Sequence, residues 1–196
     1  MATFINRLED RATLSGIERN TKESLNWFKK ELASLKTIPT RPKLLSDENF
    51  VNRTRPLSGR MFMYKYIPKH KDTLPYYDMF PLIFLVEKAK GGFYGLNLHY
   101  LSPKYRAIFF DNLTDFANNE KYNQSTRLRL TYDFLSSSSK LRYFAPCFKH
   151  YLTDHVKSRI VEVPANHWET VLFLPTEQFK KNKANSVWTK SRKQFT

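Results

Sequence analysis

Asp78, Glu87, Lys88 and His99, near the middle of the chain, are the residue types a metal-dependent nuclease would use. A restriction-type site needs Glu-x-Lys on one strand so that both groups face the same ion, because neighbouring strand residues point to opposite faces. Glu87 and Lys88 are adjacent and cannot share a face. His99 beside Asn97 suggests a histidine-metal nuclease, yet metal catalysis needs several convergent ligands, and no supporting His or Asp spacing accompanies the pair. The five histidines, His70, His99, His150, His155 and His167, include no His-x-x-x-His pair. His150 and His155 would stand more than about 100° apart around a helix. Cys147 is the only cysteine, so it can make neither an internal disulfide nor a cysteine-based zinc cage, and it reads as a small core residue. No Gly-x-x-x-x-Gly-Lys run is present to cradle a nucleotide phosphate. Asp78, between Pro75 and Pro81, reads as a turn residue accepting backbone N–H groups. The expectation is a protein that is not an enzyme and carries no metal and no cofactor.

The other chemistry is charge. The chain has 196 residues, with 33 Lys plus Arg against 18 Asp plus Glu, a net charge of +15. Such an excess repels itself on compaction and persists where a polyanion neutralises it, which makes DNA or RNA the first candidate partner and acidic protein neighbours the second. No apolar run approaches the ~20 residues that span a bilayer, and Met1 to Asp10 is charged where a signal peptide is apolar, so no membrane partner is expected and the chain reads as intracellular. Positive charge is densest where the core pattern is weakest. Arg41, Lys43, Arg53 and Arg55 lie in a proline-rich stretch, and Lys180, Lys181, Lys183, Arg192 and Lys193 lie in a C-terminal stretch without acids. These nine are the candidate DNA-binding residues, following phosphates with little sequence preference and steep salt dependence. Tyr64, Tyr66, Tyr76, Tyr77, Phe93, Tyr94 and Tyr100 could stack on unpaired bases, but rings at this density read first as core.

A hydrophobic content of 41% suffices for one domain with a real core. Residues 1–20 show no sustained period and read as a weakly structured or partner-ordered arm. Thr21 is a plausible N-cap for a helix whose Leu25, Phe28, Leu32 and Leu35 share a face, with Trp27 flanking it. Residues 38–60 carry Pro39, Pro42 and Pro56 and read as an extended tether. Strands are expected over Met61–Ile67, Leu82–Val86 and Phe93–Leu101, with turns at Pro68–Asp72 and Lys90–Gly92. Ser102 and Pro103 start a helix bearing Tyr105, Phe109, Leu113 and Phe116, which Asn118 and Asn119 end. A second candidate helix carries Leu141, Phe144, Phe148, Tyr151, Leu152 and His155, and Pro146 either kinks it or marks its true start. Strands over Ile160–Val163 and Val171–Leu174 follow. The fold class is α+β, a small SH3-like β-barrel or twisted antiparallel sheet with capping helices and basic N- and C-terminal arms. The expected divisions are 1–58, 59–176 and 177–196.

Four runs carry a resemblance to a known family: Ser24-Leu25-Asn26-Trp27-Phe28; Gly59 to Pro81, ending Leu-Pro-Tyr-Tyr-Asp-Met-Phe-Pro; Gly92 to Tyr100, with Gly-Leu-Asn-Leu-His-Tyr; and Ala145 to Leu152 leading to Trp168–Pro175. From about residue 20 onward the chain resembles a structural protein family of the virions of T-even-type contractile-tailed bacteriophages, most like its DNA end protectors, which serve in head completion. The resemblance implies a virion protein assembled in the host cytoplasm, with double-stranded DNA ends and proteins of the neck, portal or baseplate as partners, and no catalytic residues. The alternative it leaves is a neck, tail or baseplate-hub component touching only protein neighbours. Tyr94 and Ser102 depart from the pattern, which favours a smaller aliphatic and a proline there, and this bears on packing.

Overall fold

The computed structural model describes residues 3–117, 131, 133–138 and 144–193. Helix α1 (Phe4–Leu14) starts where the Thr3 hydroxyl accepts a hydrogen bond from Asn6 N, and buries Ile5, Leu8 and Ala12. This corrects the expected weakly structured arm. Three buried residues are too thin a stripe to register as periodicity, and the helix is held by packing against two others, as short helices generally are. Helix α2 (Lys22–Ser34) has the expected cap, with Thr21 and Ser24 exchanging bonds in a capping box, and buries Leu25, Phe28 and Leu32. The expected tether is instead anchored: α3 (Arg41–Leu45) buries Leu44 completely, and Phe50 is also buried.

Strands β1 (Val51–Asn52), β2 (Met61–Met63), β3 (Tyr77–Asp78), β4 (Leu82–Ala89) and β5 (Gly92–Asn97) follow, and a 3-10 turn over Leu98–Tyr100 leads into α4 (Pro103–Ala117). Phe109, Phe110 and Leu113 of α4 are buried; Asn118 and Asn119 lie outside the described residues, as does the Phe116 side chain. After a helical stretch at 133–138 (α5) come β6 (Phe148–Leu152), β7 (Val161–Val163), α6 (Trp168–Leu172), β8 (Phe179–Lys180) and α7 (Ala184–Lys193). Six strands form one antiparallel sheet in the order β1-β7-β2-β4-β5-β6, and β3 pairs separately with β8. The class is α+β. The closed SH3-like barrel is corrected to an open sheet, because β1 and β6 stand at opposite ends and do not pair.

Two further expectations are overturned. The helix expected around Phe148 is strand β6, which pairs from Leu96↔Phe148 to Gly92↔Leu152, while Pro146 lies in a 3-10 turn and Leu141 lies outside the described residues. In so short a window Phe148, Tyr151 and Leu152 fit either period, and β5's need for a partner along its free side decides. Where a strand is expected over Val171–Leu174, Val171 and Leu172 instead close α6, all five of whose residues are buried, so no exposed polar face marks its period.

The sheet has two apolar faces. Met61, Met63, Phe84, Leu96 and Val163 join Leu8, Phe28, Phe109, Trp168 and Val187 in the main core, which therefore takes residues from both ends of the chain. Phe62, Tyr64, Tyr66, Ile83, Leu85, Phe93 and Tyr151 form the second cluster. Cys147 is buried as expected, and burial pushes its thiol up to about 12. Gly92 marks the closest approach of two backbones: a Cβ there would lie 1.8 Å from Tyr151 O. Replacing Gly92 by Ala is expected to destabilise the fold by about 3 kcal/mol through forced displacement of β6, measured as a shift in the urea midpoint. Gly91→Ala, at φ +72° in the turn with nothing closer than 4.0 Å, is expected to lose about 1 kcal/mol.

Candidate nucleic-acid interface

Asp78 is where distant segments meet. Its Oδ1 accepts from Phe80 N and Gln178 N, both at 3.0 Å, and its Oδ2 accepts from Asn97 Nδ2 at 3.2 Å and from His99 Nδ1 at 2.7 Å. Asn97 Nδ2 also donates to the Tyr151 hydroxyl at 3.0 Å, and Asn97 Oδ1 accepts from His99 N. Burial by itself raises the Asp78 pKa; attraction to His99, its hydrogen bond and the two backbone N–H groups outweigh that and hold the carboxyl below its ordinary value. The expectation that Asp78 accepts backbone donors is met, on strand β3 and not in a turn.

Thr176 Oγ1 lies 3.3 Å from His99 Nε2, so hydroxyl, imidazole and carboxylate follow one another as in a hydrolase triad. Exposure is 1%, 0% and 3% for Thr176, His99 and Asp78, so the set is enclosed, and of the three Thr176 alone reaches the wall of a cleft. Among the described residues no group of three or more His, Cys, Asp and Glu could hold a metal ion. Glu87 and Lys88 are exposed and tied to nothing of this network. Of the seven rings weighed for base stacking, Tyr64, Tyr66, Tyr76, Phe93 and Tyr100 are buried; Tyr77 and Tyr94 are half-buried, and Tyr94 stacks on Phe148 at 5.1 Å.

The same knot docks the C-terminal segment. Gln178 N reaches Asp78, β8 pairs Lys180 with Tyr77, Trp188 Nε1 donates to His99 O at 2.9 Å, and the Tyr76 hydroxyl lies 3.2 Å from Ser191 Oγ. This corrects the free basic tail: α7 is a packed helix with Val187 and Ser191 buried. The lysines of the segment are thereby fixed in place. Lys181, at φ 66°, donates through Nζ to the carbonyls of Asp72 and Leu74, both at 2.8 Å, and so ties the end of the loop that carries Lys69 and Lys71 to the segment that carries Lys180 and Lys183. All five lysines are exposed. Asp72 is the one acid within 69–74, and none occurs in 178–193. Lys69 and Lys71 read in the sequence only as part of a turn, and their role depends on the long-range contact through Lys181.

The remaining candidates are scattered. Arg41 donates to the carbonyls of Thr176 and Glu177, at 2.9 and 2.8 Å, and its guanidinium lies over Phe80. Arg53 pairs with Glu162 at 2.6 Å beside β1, and Arg55 is exposed two residues further on. Lys43 is exposed on α3. Lys193 is exposed at the end of α7, and the Arg192 side chain lies outside the described residues. A second ionic knot docks the N-terminal helices: Glu169 accepts from Ser24 Oγ and from Arg19 Nε, and Glu9 accepts from His167 Nδ1 and Thr170 Oγ1.

Among protein-family models, the one described as Phage T4 terminal DNA protecting protein matches residues 1–191. No curated protein and no solved structure matches.

Asp78→Asn leaves His99 beside a neutral amide and is expected to destabilise the fold by about 3 kcal/mol in urea melts at pH 7. Because the folded pKa of Asp78 lies below its unfolded value, its stabilisation is complete above about pH 4 and fades as pH falls through the folded value. The stability curves of wild type and variant should therefore converge in that acid range and run parallel above it.

Proposed function

We propose that this chain, which belongs to the family of the phage T4 terminal DNA protecting protein, meets duplex DNA through the lysine face of Lys69, Lys71, Lys180, Lys181 and Lys183. The protein is a structural, DNA end-protecting component of the bacteriophage virion. The observation that carries the interface is the clamp of Lys181 onto the Asp72 and Leu74 carbonyls, which joins two segments that together hold five exposed lysines and one acid. Lysines fixed on a folded surface give up less freedom on meeting phosphates than lysines on a loose arm. Arg41 and Arg53 act in this reading as struts, and Arg55, Lys43, Arg192 and Lys193 as outlying contacts.

The protein is read as non-enzymatic, which the burial of the Asp78–His99–Thr176 set supports. Proteins of the neck, portal or baseplate are its further partners in the particle, which is put together in the host cytoplasm. Leu14 and Leu57, 88% and 56% exposed, offer apolar contacts to such neighbours. No helix among the described residues is long and apolar enough to cross a membrane.

Titrating salt against a blunt duplex tests the face. About five neutralised phosphates give a slope of log K against log salt near −4.5, and Lys180→Glu with Lys183→Glu should reduce it by about 2 units. An unchanged slope in the double variant would overturn the assignment, and absence of binding at about 50 mM salt would remove direct DNA contact by this chain.

A further inference from the structure

Two clefts share the wall Ile38–Pro39–Thr40, and they differ in charge. The larger, about 870 Å³, is lined by Asp47 and Glu48 as well as by cations, and one of those cations, Arg11, is spent on Glu31 at 2.5 Å. The other, about 640 Å³, has no acid in its lining. Its walls are apolar where Pro39, Pro42, Leu45 and Phe80 contribute, and Arg41 and Lys65 bring positive charge. Lys65 is exposed, and its strand-like segment is paired with the next basic run: Lys157 N donates to Lys65 O and Lys65 N to Ser158 Oγ, both at 2.8 Å. Ser158 lines the mouth beside Lys65, while the Lys157 ammonium is turned to the Asp154 carbonyl at 2.9 Å.

We infer that this cleft takes the terminal nucleotide of a DNA strand, with the base against Pro39, Pro42 and Leu45 and the phosphate toward Lys65. A volume of 640 Å³ falls inside the range of about 300–1,000 Å³ typical of small-ligand sites. Apolar walls with cations at the rim match the two halves of a nucleotide, a flat ring and a charged phosphate. A closed duplex offers no such group, because its bases are stacked and paired along their whole length. The cleft would thus recognise an end, whereas the lysine face holds any duplex.

The inference rests on the DNA end-binding reading above, and the experiment separates the two. The intact chain is titrated by fluorescence anisotropy with a blunt 5′-phosphorylated duplex and with a covalently closed, relaxed circular duplex. Lys65→Ala removes a rim cation, and Pro42→Trp, at an exposed position, fills the cleft without changing charge. Thermal melts establish that each variant is folded. Wild type is expected to prefer the open duplex by about tenfold, which corresponds to about 1.4 kcal/mol, and Pro42→Trp to abolish that preference while its affinity for the circle stays unchanged. Folded variants that both keep the full preference overturn the cleft and leave the lysine face standing. A folded Pro42→Trp that loses both probes equally overturns end recognition by the cleft. A wild-type chain that binds both probes equally overturns the end-binding reading itself.

Discussion

The carboxylate of Asp78 is the constraint on which the rest of this structure depends. A charged group with 3% exposure is tolerable only when its lone pairs are filled, and here four donors fill them. Those donors come from Phe80 next to it, from Asn97 at the end of β5, from the turn at His99, and from Gln178, one hundred residues away. One side chain thereby ties the second face of the sheet to the C-terminal segment. Loss of any donor would leave a buried charge or a buried N–H unpaired, so the segments are held together as a set.

Function follows from what that knot positions. With Gln178 fixed, β8 lies against β3, and Lys181 then reaches the carbonyls of Asp72 and Leu74. Net positive charge alone would steer the chain toward any polyanion. In the proposed interface, charge held on a pinned surface turns that steering into contact of definite shape. At the other end of the chain the Glu169–Arg19 pair and the Glu9–His167 contact dock α1 and α2, which places the Ile38–Leu45 segment and the two clefts it separates.

Much of this was legible in the residues themselves, and the misses have physical causes. The cap at Thr21, the turn at Gly91, the start of α4 and the buried Cys147 follow from local rules, and the structure contains them. Strand β6 and helix α6 were misread because short apolar stretches carry no period strong enough to choose, and long-range pairing chose instead. Helix α1 and the packed C-terminal segment were missed because each is marginal alone and stable only on the knots at Glu169 and Asp78. Asp78 and His99 stood out from the start. Their partnership across 21 positions could not be seen, nor could the tie between the loop of Lys69 and Lys71 and the segment of Lys180.

In the proposed reading, this chain meets DNA through a surface built by a buried carboxylate, in place of loose basic arms. Lysine acetylation footprinting of the intact chain, with and without a blunt duplex at low salt, tests this most directly. The account predicts selective protection of Lys69, Lys71, Lys180, Lys181 and Lys183 while Lys22 and Lys30, exposed on α2, stay reactive. Equal reactivity of the five lysines in the two samples, with protection appearing on α2 instead, would contradict it.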